Sequence, residues 1–533
     1  MTQLRRIAVC FILMVVSFTS VSQTDTLQKD FTAKQWYLQD PAKDGVAGIS
    51  LDRAYGYLAG KPSRKVVVAI LDSGIDTSHV DIAANLWTNP GEIPNDGIDN
   101  DGNGYVDDYH GWNFLGNAKG EVIAGETLEK TRIYRELHKK YGKKSAAQIP
   151  AEEKAAWELY LAAKESYEKE FNDTRKMLDT YKKLYRSMED VHMVLTRHFD
   201  DSTYTNADVQ GINTDDQNLA RAKQVYLLYD KLGIDRKGIK ETLDHFQSVM
   251  DTKLNVQNDP RYVTGDNPLD ILDTLYGNHN LNGGTPGHGT AVAGLVAALR
   301  DNGIGINGIA PQVEIMLVRI VPGGDERDKD VALAIRYAVN QGAQIINCSF
   351  GKEFSPQKQM VDEAVKYAEQ HGVLIVHASG NEGQNNDQSG NFPTPLLDDG
   401  KRATNWVEVG ASTKEIGEKL PAGFSNYGKT TVDLFAPGAD IMTLDPGNTY
   451  GASDGTSVAA PVVTGVAALL LSYYPQLTPA QIRDILMKSV TPYGKKRVVI
   501  PGSKKKTRMK NLCVSGGVLN AYDAVKMADG ITR

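Results

Sequence analysis

The amino-acid sequence predicts an α/β protein in three layers, a mostly parallel β-sheet between helices, carrying a large α-helical insertion. Two observations predict the layered core. Short continuous runs of β-branched and apolar residues recur along the chain, and segments with helical spacing of apolar positions lie between them. Strands that are apolar on both faces belong to parallel sheets covered by helices on each side. A third observation predicts the insertion: residues 121–263 are rich in Glu, Lys, Asp and Tyr and poor in strand-forming runs.

The elements follow in chain order. Arg5 and Arg6 precede an apolar run at 7–18, and Ser20-Val21-Ser22 offers small residues for cleavage before Gln23. The run is too short to span a bilayer comfortably, so residues 1–22 are expected to be a signal peptide. No later segment is expected to be long and apolar enough to cross a membrane, and the protein is expected to be exported, to the periplasm or the extracellular space. Residues 23–120 hold the first part of the core, with a strand running through Val66-Val67-Val68-Ala69-Ile70-Leu71 into Asp72.

In the insertion, 121–263, one long helix is expected over 150–199. Tyr160, Tyr167, Phe171, Leu178, Tyr181, Tyr185, Met188 and Leu195 recur at three-, four- and seven-residue steps, which makes one apolar stripe on a charged helix. Shorter helices are expected near 215–232 and 236–254. Such a stripe needs a surface to pack on, so this is a folded insertion and not a linker. Residues 264–533 resume the alternation, with strands near 314–320, 344–349, 373–378 and 432–436 and helices near 332–339 and 361–370. Thr478-Pro479-Ala480-Gln481 starts another helix, with a capping Thr, Pro at the first position and Gln at the third.

Composition narrows the function. The 533 residues suffice for a large core and more than one folded unit. With 59 basic and 66 acidic side chains the formal charge is −7, which lacks the basic excess of a nucleic-acid-binding protein. Beyond the leader only Cys348 and Cys513 remain. Two cysteines make no disulfide framework, and Cys348, inside an apolar strand pattern, reads as a buried free thiol. Whether the two pair is left open.

Hydrolysing a peptide bond near neutral pH requires a nucleophile, a base to take its proton, a group to orient that base, and donors for the oxyanion that forms. The chain offers a residue for each. Asp72 ends an apolar strand, where open α/β sheets place their sites. His288 sits in Gly287-His288-Gly289-Thr290, ahead of a run of small residues suited to a tightly packed helix. Ser457 lies in Gly455-Thr456-Ser457-Val458, at the start of another helix, where its N–H is available to an oxyanion. Asn381, in Ser379-Gly380-Asn381-Glu382-Gly383, follows a strand and could donate its amide to the same oxyanion. Each alone reads equally as a turn or capping residue.

Taken together these segments resemble the subtilisin-like serine proteases, the subtilases. The resemblance covers about residues 36–528 apart from the insertion. It rests on Asp-Ser-Gly-Ile-Asp, Gly-His-Gly-Thr, Asn-Cys-Ser-Phe-Gly, Ser-Gly-Asn-Glu-Gly, Phe-Ser-Asn-Tyr-Gly, Phe-Ala-Pro-Gly and Gly-Thr-Ser-Val-Ala-Ala-Pro, in that order. The chain order Asp, His, Ser is that of subtilisin. The resemblance implies a subtilisin-like fold and a triad of Asp72, His288 and Ser457, with Asn381 in the oxyanion hole and no cofactor for catalysis. It implies polypeptide substrates, held along Ser349, Phe350 and Gly351 by strand addition and against Ser379 and Gly380. Val458 and Ala291 depart from the family's common methionine and second histidine, as packing changes outside the triad. Only about 50 residues separate the expected cleavage site from Asp72, too few for the usual folding pro-domain.

Residues 96–108 read Asp-Gly-Ile-Asp-Asn-Asp-Gly-Asn-Gly-Tyr-Val-Asp-Asp. Counted from Asp99, Asp101 and Asn103 fall at positions three and five, Gly104 at six, Tyr105 at seven and Asp107 at nine, the front of a calcium loop. Position twelve is His110, so this is not a full EF-hand. The five carboxylates repel one another unless a cation or solvent offsets them, and the expected group is a structural calcium, as several subtilases bind. The leading reading is a serine endopeptidase. A restricted processing enzyme or exopeptidase gated by the insertion stays open, as does an inactive binding scaffold; covalent labelling of Ser457 by a fluorophosphonate separates the last from the others.

Overall fold

The computed structural model describes residues 31–532, so the expected signal peptide lies outside the described residues. Strands β1 (Val66–Asp72), β2 (Gly111–Asn113), β3 (Val313–Arg319), β4 (Ile345–Cys348), β5 (Leu374–Ala378), β6 (Trp406–Ser412) and β7 (Leu434–Pro437) pair in parallel. Hairpins β8 (Ile441–Asp445)–β9 (Thr449–Ser453) and β11 (Arg497–Val499)–β12 (Lys506–Arg508) stand apart from that sheet. Strands β10 (Thr491–Pro492) and β13 (Gly517–Val518) extend it to the order β10-β13-β7-β6-β5-β4-β1-β3-β2, in which only the β10–β13 pair is antiparallel.

The alternation inside β1 explains the three layers. Val66, Val68 and Ile70 enter one buried cluster, while Ala69 and Leu71 enter a second on the opposite face. Each large aliphatic side chain so buried contributes about 1.5–3 kcal/mol, so both faces must be covered. The helices that cover them, or extend from them, are α1 (Glu129–Tyr141), α2 (Lys154–Phe199), α3 (Gln217–Lys231), α4 (Arg236–Asp251), α5 (Gly287–Ala297), α6 (Asp328–Asn340), α7 (Lys358–Gln370) and α8 (Thr456–Tyr473). Helices α5 and α8 pack into the first cluster, and α6 and α7 into the second.

Helix α8 corrects one sequence expectation. Its 18 residues are long and apolar enough to cross a membrane, yet 89% of the stretch is buried inside the protein. It is the central core helix, apolar all round because sheet and helices surround it. Cys348 and Cys513 are free and buried. Burial pushes the Cys513 thiol up to about 11 and Cys348 higher still, so neither is poised as a nucleophile.

The insertion is helical, and its long helix starts at Lys154 after a short turn rather than at Pro150. Asp216 and Asp235 cap α3 and α4 through their side chains. The stripe on α2 is buried at Tyr160, Tyr167, Leu178, Met188 and Leu195 and half-buried at Phe171, Tyr181 and Tyr185. It packs first on α1, where Tyr134 stacks on Tyr167 with ring centres 4.5 Å apart, then on α4 and α3. The two ends of the insertion lie side by side: the Lys253 carbonyl accepts from the Leu128 N–H at 3.0 Å and from Thr131 Oγ1 at 2.9 Å.

Candidate active site

Strand β1 delivers Asp72 to the carboxyl edge of the sheet, where it is 1% exposed. Helix α5 delivers His288 as its second residue. The helix can come this close to the loop after β1 because residue 289 is glycine: a Cβ there would lie 2.2 Å from the Gly74 carbonyl oxygen. The His288 Nδ1–Asp72 Oδ1 distance is 2.7 Å, and the Ser73 N–H donates to the same carboxylate oxygen at 2.7 Å. Nδ1 is thereby committed to the carboxylate, which leaves Nε2 as the ring nitrogen able to exchange a proton. Desolvation works against the imidazolium, but the Asp72 charge and hydrogen bond outweigh it and raise the His288 pKa above its ordinary value. The side chain keeps 42% of its surface exposed, so solvent and substrate reach it.

Ser457 is the second residue of α8, where a backbone N–H has no partner inside the helix. Asn381 follows β5, and its Oδ1 accepts from the Thr456 N–H at 2.8 Å and Thr456 Oγ1 at 3.1 Å. That leaves the amide nitrogen as the free end. Gly455 has φ +151°, and a Cβ there would lie 2.8 Å from Ser457 Oγ and 3.6 Å from Asn381 Nδ2. Nucleophile and amide thus flank one small space that only glycine keeps open. His288, Ser457 and Asn381 line one cleft of about 340 Å³, together with Phe350, Gly351 and Gly380.

The segment that leaves β4 is anchored to α8: Ser349 Oγ donates to the Ser457 carbonyl at 2.7 Å and receives from Asn347 Nδ2 at 2.9 Å. Among the described residues the backbones of Phe350 and Gly351 have no backbone hydrogen-bond partner, although both residues line the cleft. Ser379 departs from expectation. It is fully buried, its hydroxyl donates to the Asn426 carbonyl, and it does not line the cleft. Gly380 does line it, although its N–H is already given to Thr456 Oγ1. The sequence reading missed Thr456, which fixes Asn381 from beside the nucleophile; its place next to Ser457 was the available signal.

A buried carboxylate bonded to an imidazole that shares a cleft with a helix-start serine defines the class of serine–histidine–aspartate hydrolases. The family model described as Subtilase family matches residues 63–516, and the chain belongs to that family. It is 37% identical over 248 residues to alkaline elastase YaB of Bacillus sp. (strain YaB), covering 46% of this chain and 59% of that protein. It is 36% identical to subtilisin BL of Lederbergia lenta over 42% of this chain and 83% of that protein. It is 36% identical to subtilisin DY of Bacillus licheniformis over 39% of this chain and 72% of that protein.

The acidic loop forms a second centre. Carboxylate oxygens of Glu92, Asp99 and Asp101 lie within 4.8 Å of one another. Asn103 is tied to them, its amide donating to Asp101 Oδ2 at 3.1 Å. Asp107 and Tyr105 do not join this group. Asp107 accepts from the Asp96 and Gly97 N–H groups, and the Tyr105 ring packs on Trp112, Phe114 and Tyr337. Glu92 lies outside the loop motif, so the spacing held no sign of it. Its Oε1 accepts from Asn100 and Asp101, while its buried Oε2 has no partner. An orphaned buried carboxylate oxygen beside two more carboxylates fits a hard cation such as calcium.

Proposed function

We propose that the protein is a serine endopeptidase that hydrolyses polypeptides through an acyl-enzyme on Ser457. The observation that carries this reading is the 2.7 Å His288–Asp72 bond at the mouth of a cleft that Ser457 and Asn381 also line. In this mechanism Ser457 Oγ attacks the carbonyl carbon and its proton passes to His288 Nε2. Asp72 holds the ring and offsets the imidazolium charge. The Ser457 N–H and the Asn381 amide receive the oxyanion. His288 then gives its proton to the departing amine, and water, activated by the same imidazole, releases the acid. Extended substrate adds as a strand along Phe350 and Gly351. The names of the relatives, an elastase and two subtilisins, support the same reading. The peptidase domain comprises 23–120 and 264–533, parted by the insertion at 121–263, and the apolar leader supports export.

Asn381→Ala is expected to lower kcat about 10²–10³-fold with KM nearly unchanged, a magnitude carried over from the oxyanion asparagine of subtilisin. Steady-state kinetics on one peptide substrate test it; a change confined to KM would restrict Asn381 to binding.

Glu92, Asp99 and Asp101 would hold a structural calcium that braces the loop and takes no part in the chemistry. A cation bound only by the folded state adds about 2.7 kcal/mol at a hundredfold excess over its Kd. Calcium is therefore expected to raise the thermal midpoint of the parent and not of Glu92→Gln. Equal midpoints in chelator and in excess calcium would remove the site.

A further inference from the structure

One wall of the cleft is formed by residues 321–326, and its charges do not balance. Glu326 is 2% exposed and lines the cleft together with Phe350, and its Oε1, itself buried, has no hydrogen-bond partner. Four more acids surround it: Asp325, which also lines the cleft, and Glu126, Glu129 and Asp328. Three cations lie among them, and they are committed elsewhere. The Lys352 ammonium has three N–H donors, and its Nζ contacts are Glu129 Oε2, Asp328 Oδ1 and the Glu326 main-chain carbonyl, each at 2.8 Å. Arg132 directs all three of its nitrogens to Glu129 and to the carbonyls of Thr127, Asp325 and Glu326. Arg327 pairs with Glu126 and Asp259. None of these cations bonds the Glu326 carboxyl group.

A carboxyl group in that position lacks the cation that would let it ionise. Burial raises the Glu326 pKa to about 8, with the Lys352 charge opposing the rise and Asp325 and Asp328 adding to it. The wall is short of one positive charge. We propose that a lysine or arginine side chain of the bound polypeptide supplies that charge, and that Glu326 is a specificity-determining residue for basic substrates. This rests on the endopeptidase reading. It draws on the unpaired backbone of Phe350 and Gly351, along which an extended substrate would lay its side chains against the 321–326 wall. A cationic side chain beside this wall would offset its excess of acids, whereas an apolar side chain at the same position would leave the excess in place.

The test uses the purified full chain and matched fluorogenic peptides that differ at one position, lysine or arginine against norleucine, scanned on both sides of the scissile bond. At one position the parent is expected to favour the basic residue about 10–100-fold in kcat/KM, the range for a charge-assisted bond to a buried partner. Glu326→Gln, close in size and still polar, should bring that ratio near unity, and Glu326→Asp should keep part of it. Thermal midpoint and fluorophosphonate labelling establish that each variant is folded. If Glu326 is only a buried neutral acid, glutamine changes nothing in the ratio, and that result overturns the proposal. So does a parent with no basic preference at any position, a measurement that needs no variant. Turnover that is absent, or that survives Ser457→Ala, fails the endopeptidase reading itself and is distinguishable from both.

Discussion

Ser457→Ala is expected to lose about 10⁶-fold in kcat, the loss measured in subtilisin for its nucleophile and carried over here. In the proposed mechanism the Ser457 Oγ is the one atom of the triad that bonds to the substrate. Asp72, His288 and the oxyanion donors have no role in acyl transfer without it, and what remains is the residual rate that positioning and oxyanion stabilisation supply. The fold should not notice. Ser457 engages its surroundings through its main-chain carbonyl, which accepts from Ser349, and alanine keeps that bond. The expected result is therefore an inactive protein with the parent's thermal midpoint and no fluorophosphonate label. Activity within tenfold of the parent would overturn the triad.

Lys352→Met is expected to be strongly destabilising. The lysine side chain is 1% exposed and joins three parts of the molecule: Glu129 of α1, Asp328 of α6 and the carbonyl of Glu326. Methionine fills most of the volume but leaves Asp328 without a cation and Glu129 with Arg132 alone. Removing one partner of a buried ion pair costs about 3–5 kcal/mol, because the other charge stays buried. Denaturant unfolding should show a loss of that order, and the same substitution at exposed Lys139 should leave stability unmoved. Since α1 opens the helical insertion and Glu326 lines the cleft, catalytic efficiency should fall as well. An unchanged unfolding midpoint would mean that the insertion is not braced through this lysine.

The parts of this molecule that could be read from the sequence are those whose chemistry is local. Asp72 closes an uninterrupted apolar strand. His288 and Ser457 each open a helix of small residues, and the insertion's long helix shows its stripe over several turns. The unread parts depend on partners far away in the chain. Helix α1 carries no simple apolar stripe, because buried Glu129 and Arg132 find their partners at 325, 326 and 352. Strand β2 is three residues long and exists only because β3 pairs with it. Glu92 lies outside the acidic motif whose carboxylates it joins, and Ser379, inside a recognised motif, turns inward to Asn426. Local pattern identified the strand and helix ends that carry the chemistry; long-range ion pairs decided how the walls around them are held.

Helix α2 has 46 residues, which at 1.5 Å per residue span about 69 Å. A compact domain of about 370 residues has a radius of gyration of about 21 Å. The helix is thus more than three times that radius in length. Its contacts with the peptidase body include Ser166, which donates to Glu353, and Glu170, which shares Lys130 with Glu353, while its distal half packs on α3 and α4. In solution the molecule therefore drifts and tumbles as a head with a stiff outrigger, and feels more friction than a sphere of equal mass.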